Sequence, residues 1–394
     1  MAHTTTTRTS YRQRVSGSFK GIAGGVLLFI IGSILLFWNE GNFVKTKKSL
    51  QEAEDVLVRV TDVSTVDSEL NGKLIHASAF ADTKETLTDE LFGVSEKAIS
   101  ISRKVEYYQY VEKSSSQTRD RVGGGQETVT TYTYEKEWTS SPVNSLKFND
   151  SEYRSANFTL TTIEAKKQQA KEVSFGGYRL PDFIISSISG NIPAEVRLTP
   201  DELTEWQNTI TRNLTQPGVA TKQFVHVNGN VVYFGLSTSP PAIGDVRVTL
   251  TKIKPADISI IAKVNGSTFE SYTASNGKTV SAVSMGTVSA ESMFADQHSL
   301  NQIWTWILRL LGVFLVIWGL KLMFGILPAV FKVIPFLGNI VDAGVGIVCT
   351  IIGGAWSLII IAISMLWYRP VIGIILLVIA IAGIWLLKKK TKNG

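Results

Sequence analysis

The chain of 394 residues carries 39 Lys and Arg against 33 Asp and Glu, with 44% hydrophobic residues and a positive mean hydropathy of +0.14. Clustered Ile, Leu, Val and Trp at that mean exclude a wholly water-soluble protein and place part of the chain in lipid. Twelve basic residues lie in the two terminal segments and beside the later apolar runs, which leaves 27 basic against 32 acidic residues in the long central segment. That segment is mildly acidic, so the net charge of +6 is no nucleic-acid signal and no nucleic-acid partner is expected.

Residues 1–20 read as a basic cytoplasmic arm, with Arg8, Arg12, Arg14 and Lys20 and no acid. The apolar run 21–38 follows. It continues into Phe37-Trp38-Asn39-Glu40-Gly41 without a cleavage signature, as an uncleaved signal anchor does. Gly17, Gly21 and Gly25 repeat at four-residue spacing, a pattern suited to close helix contact and to self-association.

Residues 39–302 are predicted to form one large, mostly β extramembrane domain. Leu50, Ala53 and Leu57 extend the first helix into it. Alternation over 99–108 and 128–138 around Gly123-Gly124-Gly125 predicts a long hairpin. Thr199, Pro200 and Glu202 make a capping box for a helix carrying Leu203, Trp206 and Ile210 on one face. Pro181–Ile188 suggests a shorter helix, and Asn228-Gly229 turns a second hairpin between Phe224–Val227 and Val231–Phe234. Strands are also expected over Asp245–Ile253 and Ile258–Val264.

Three further spans are expected at 303–326, 340–367 and 371–387, with an interfacial elbow at 327–339 and a basic cytoplasmic tail at 388–394. Pro328, Pro335 and Lys332 interrupt the elbow. Each span closes its own backbone hydrogen bonds as a helix, as lipid requires. The fold class is therefore an α+β membrane protein with four transmembrane helices and the domain inserted between spans 1 and 2. Short basic loops on one side put both termini in the cytoplasm.

Little chemistry is legible. Four separate histidines have no metal-ligand spacing, and the only cysteine, Cys349, lies in a span, so the domain has neither a disulfide nor a thiolate metal site. No metal, cofactor or catalytic residue is expected. Asp342 is the one acid inside an apolar run, with Asn339 one turn earlier; it reads either as a bundle-interior group or as a headgroup-level acid. Arg309 is placed to snorkel. Tyr107, Tyr108, Tyr110, Tyr132, Tyr134 and Trp138 on the hairpin read as a partner surface or as a second packed layer.

Five fragments, in order, carry a resemblance: Phe37-Trp38-Asn39-Glu40-Gly41, residues 103–112, Tyr132-Thr133-Tyr134 with Glu137-Trp138, Gly244-Asp245-Val246-Arg247-Val248, and Trp367-Tyr368-Arg369-Pro370. The chain resembles the LUMA (transmembrane protein 43) family. The resemblance implies four spans and a domain in the ER lumen or perinuclear space, or outside the inner membrane of a bacterium. It also implies association with other membrane proteins and no catalytic residue.

Sequons at Asn157, Asn213 and Asn265 suit an ER lumen, whereas the unpaired cysteine suits a bacterial inner membrane, the location this reading prefers. The expected function is a non-enzymatic membrane scaffold whose partners are the bilayer, other membrane proteins and further copies of itself. The alternative is a lipid-handling or small-molecule transport protein using Asp342 and the elbow.

Overall fold

The computed structural model describes residues 3–214, 222–332 and 335–370. Its helices are α1 (Tyr11–Val56), α2 (Asp182–Ile185), α3 (Pro200–Asn213), α4 (Ala290–Phe324), α5 (Ile326–Phe331) and α6 (Pro335–Tyr368). Three helical stretches are long and apolar enough to cross a membrane: Tyr11–Val56, Ala290–Phe331 and Gly338–Tyr368. The expected fourth span at 371–387 and the tail at 388–394 lie outside the described residues.

α1 starts at a capping box, in which Ser10 Oγ accepts from the Gln13 amide and the Gln13 side chain accepts from the Ser10 amide. It then continues unbroken from the apolar run into the domain. α4 runs antiparallel to it, and glycines set their separation. A Cβ on Gly25 would lie 2.6 Å from the Gly319 carbonyl oxygen, and one on Gly32 3.0 Å from that of Gly312. On each helix the two glycines are one heptad apart, so one narrow seam brings the backbones together. Leu36, Val316, Leu320 and Cys349 fill the core beside it, with α6 as the third member.

Two boundaries depart from expectation. The elbow is shorter than 327–339, because α5 occupies Ile326–Phe331 and α6 already begins at Pro335, a residue that suits a helix start. The arm is not a free cytoplasmic segment: His3–Thr9 is a strand, antiparallel to Gln126–Thr139 from His3↔Tyr132 to Thr9↔Gln126. A run of β-branched threonines beside an open strand edge finds its hydrogen bonds there.

The domain has two main sheets. In the first, the path runs His3–Thr9, Gln126–Thr139, Ser100–Asp120, Val246–Ile253, Val231–Phe234 and Val225–Asn228. Its inner face packs Val105, Tyr107, Val232, Phe234 and Val248 against α3, where Phe92 and Trp206 stack with centroids 5.8 Å apart. Both bonds of the α3 capping box are present. The second sheet centres on Leu74–Asp82 paired with Ala256–Asn265 and encloses Ile75, Phe175, Ile258 and Phe269. Leu50 and Ala53 of α1 and Met293 and Phe294 of α4 pack with Leu74, Ile261 and Val280. The long helices are thus rooted in the sheets, and the domain cannot swing freely about the membrane.

Candidate interaction site

Ser100–Asp120 and Gln126–Thr139 form the long hairpin, paired from Tyr107↔Thr139 to Asp120↔Gln126. With His3–Thr9 added, its outer half is a three-stranded ribbon. Thirteen rises from Tyr107 to Asp120 give about 43 Å, while α1 covers about 54 Å between Arg14 and Leu50. The root of the ribbon is in the domain, at the Leu50 end. Its tip is at the opposite end: Asp120 accepts from Arg14 at 2.5 Å and pairs with Lys332 at 3.1 Å. A Cβ on Gly124 would collide with the Tyr11 ring. The ribbon therefore returns along the height of the helices and is fastened beyond them.

The fastening is largely desolvated, with the side chains of Arg14, Asp120 and Lys332 only 11%, 12% and 11% exposed. Burial works against the charged form of Asp120, yet the bonds from Lys332 and Arg14 outweigh it and hold the carboxyl below its ordinary value. Both ribbon faces are polar: Glu112, Ser114, Ser116 and Thr118 alternate with Lys113, Ser115, Gln117 and Arg119. A lipid-facing strand needs an apolar face, and neither face supplies one.

A second polar node joins two of the resembling fragments at the domain end of the helices. Glu40, 1% exposed, accepts from Arg309 Nε at 2.5 Å, and Asn39 donates to the Thr305 carbonyl at 3.0 Å. A Cβ on Gly41 would lie 2.5 Å from the Tyr368 ring, and Arg369 sits 4.3 Å over the Phe43 ring. Arg309 also covers Trp306, at 4.8 Å. Fragments 37–41 and 367–370, distant in sequence, thus form one contact.

The residues singled out by sequence separate into different roles. The Asp342 side chain is 57% exposed, outside the packed interior of the helices, and pairs with Lys332 at 3.3 Å, and Asn339 is also exposed. Arg309 is an ion-pair partner rather than a free snorkelling side chain. Gly25 packs inside the chain, Gly21 lies at the edge of that contact with Leu322 O 3.9 Å away, and Gly17 faces open space. Self-association through Gly25 is therefore corrected: α4 already occupies that face.

Five of the six aromatics share one face of the hairpin and are packed rather than exposed, and Tyr107 lies on the opposite, inner face. Tyr107 is buried and donates to the Ile163 carbonyl at 2.8 Å. Tyr134 stacks on Tyr153 at 4.0 Å, Tyr110 meets the same ring edge-on, and Trp138 lies against Tyr108 under Arg247. Tyr132 neighbours His3. Residues 144–158, to which the sequence reading assigned no element, supply Phe148 and Tyr153 and cover this face. Sequence reasoning also missed the heptad pair Gly25/Gly32 with Gly312/Gly319, although its spacing is visible, and Asp120, for which no local signal exists. The clefts of about 300, 440, 370 and 420 Å³ lie in the domain, and Asp342 lines none of these.

Comparison with known proteins fits this architecture. The sequence profile described as Transmembrane protein 43 matches residues 107–370. The chain belongs to the transmembrane protein 43 family. It is 28% identical over 376 residues to Transmembrane protein 43 of Mus musculus, covering 91% of this chain and 87% of the mouse protein. It is 26% identical over 391 residues to the Homo sapiens protein, covering 96% and 92%. The Drosophila melanogaster homolog is 27% identical over 370 residues, covering 90% of each. No solved structure matches. These relatives of the family are animal proteins, so the preference for a bacterial inner membrane finds no support among them.

Proposed function

We propose that this member of the family is a non-enzymatic multi-pass scaffold of the endoplasmic reticulum or inner nuclear membrane. In this reading the ribbon tip and the start of α1 face the cytoplasm, and the two sheets, apart from the outer half of the ribbon, lie in the lumen. The polar ribbon carries the proposal. It passes the bilayer at the height of the helices, and its Val111–Asp120 edge carries no further strand among the described residues. Acyl chains satisfy neither its side chains nor its open backbone groups. The bilayer sector beside the ribbon is therefore filled by protein, either other membrane proteins or further copies of this chain, and assembling them is what the protein does.

The test is the intact mass after extraction in mild detergent. The expected result is a particle heavier than one 43.2 kDa chain. Asp120→Lys, which sets a cation against Arg14 and Lys332, should shrink that particle while leaving membrane insertion unchanged. A wild-type particle containing one chain and no protein partner would refute the scaffold reading.

A further inference from the structure

The structure assigns a modification site that the scaffold reading does not use: we propose that Asn265 is an acceptor for an N-linked glycan. The inference rests on the lumenal placement of the sheets. Asn265, Gly266 and Ser267 are all exposed at a two-residue turn between Ala256–Asn265 and Thr268–Glu270, closed by the pair Asn265↔Thr268. Gly266 has φ +60°, and nothing lies within 4 Å of where its Cβ would be. The Asn265 side chain makes one exposed bond, to Glu270 at 3.1 Å, which contributes little and yields readily. The turn thus presents the amide, and the serine two residues on, to solvent in the context that such acceptors require.

Asn157 supplies the contrast within the same domain. Its Nδ2 donates to the Tyr110 carbonyl at 2.9 Å, and its Oδ1 accepts from the Tyr110 amide at 2.8 Å. The side chain therefore extends the edge of the Ser100–Asp120 strand much as a backbone would, and a sugar on that nitrogen would displace it. Two motifs of the same class in one domain thus differ in what the fold permits.

In the transfer, the Asn265 amide nitrogen attacks the anomeric carbon of a polyprenyl-diphosphate-linked oligosaccharide held by a transferase of the lumen. The new C–N bond replaces the C–O bond to diphosphate, the polyprenyl diphosphate leaves, and a base of the transferase takes the amide proton.

The full chain is expressed in a cell with an endoplasmic reticulum, with Asn149→Gln and Asn213→Gln throughout so that the sequons Asn149-Asp150-Ser151 and Asn213-Leu214-Thr215 cannot contribute. The expected result is a single mobility shift on treatment with an endoglycosidase, lost in Asn265→Gln and in Ser267→Ala and kept in Asn157→Gln. A reporter, Asn230→Thr, creates an acceptor at Asn228, which is exposed in the turn at Gly229. A glycan on the reporter and none on Asn265 overturns the assignment and leaves the lumenal placement intact. A glycan on neither overturns both.

Discussion

Gly25→Ala tests whether the first span is held by its own chain. The added methyl would lie 2.6 Å from Gly319 O, 2.8 Å from Met323 N and 2.9 Å from Met323 Cγ. Two of those atoms are backbone, so no rotamer change relieves the overlap, and α1 and α4 must separate by roughly 0.8 Å to regain ordinary contact. A gap of that size forfeits about a quarter to a half of each dispersion contact along the seam, including those around Gly32, Leu36, Gly312 and Val316. Overpacking of this kind costs about 1–3 kcal/mol. Apparent thermal midpoints in detergent, compared at one scan rate, should fall by several degrees. Gly17→Ala and Gly24→Ala are the controls, because nothing lies within 4 Å of either Cβ position; they should stay within about 0.5 kcal/mol of wild type. Equal midpoints for Gly25→Ala and the controls would refute the seam. A reduced particle mass with no fall in midpoint would restore the self-association expected from sequence.

Glu40→Gln leaves Arg309, only 15% exposed, without its charged partner, and should cost about 3–5 kcal/mol; an unchanged thermal midpoint would show that the node is not structural. At the other end, Asp120→Asn should lengthen the distance between probes at Val122 and Arg12, whereas Asp342→Asn, which removes a largely solvated acid, should not. Because the folded-state pKa of Asp120 is depressed, its stabilisation is full above the ordinary carboxylate value of about 4 and lost as pH falls through the lower folded value. The same probe pair should therefore separate in that acidic window, and a distance independent of pH down to acid unfolding would count against the fastening.

The sequence by itself determined the features that rest on local periodicity and solvent. Eighteen apolar residues after a basic arm cannot sit in water, so the helix at 21–38 is legible. Capping chemistry makes α3 legible from Thr199, Pro200 and Glu202, and alternation with Asn-Gly or Gly-rich turns makes both hairpins legible. The continuation of the first helix through Leu50 and Ala53 follows from their spacing. Family membership was legible too, because the fragments are ordered along most of the chain.

What tertiary structure decided is which of these pieces meet. Threonines at positions 4–7 carry β propensity but no partner code, and only the free edge of Gln126–Thr139 makes them a strand. Asp120 and Arg14 are separated by more than a hundred residues, so no local pattern could pair them. The glycine at position 25 read as a close helix contact suited to self-association, and its spacing could not name the helix that it meets. Backbone approach at Gly319 chose the latter, since a face occupied within the chain is no longer available between chains. The aromatic stripe was ambiguous for the same reason: alternation tells which side chains share a face, and only the covering segment 144–158 tells what that face meets.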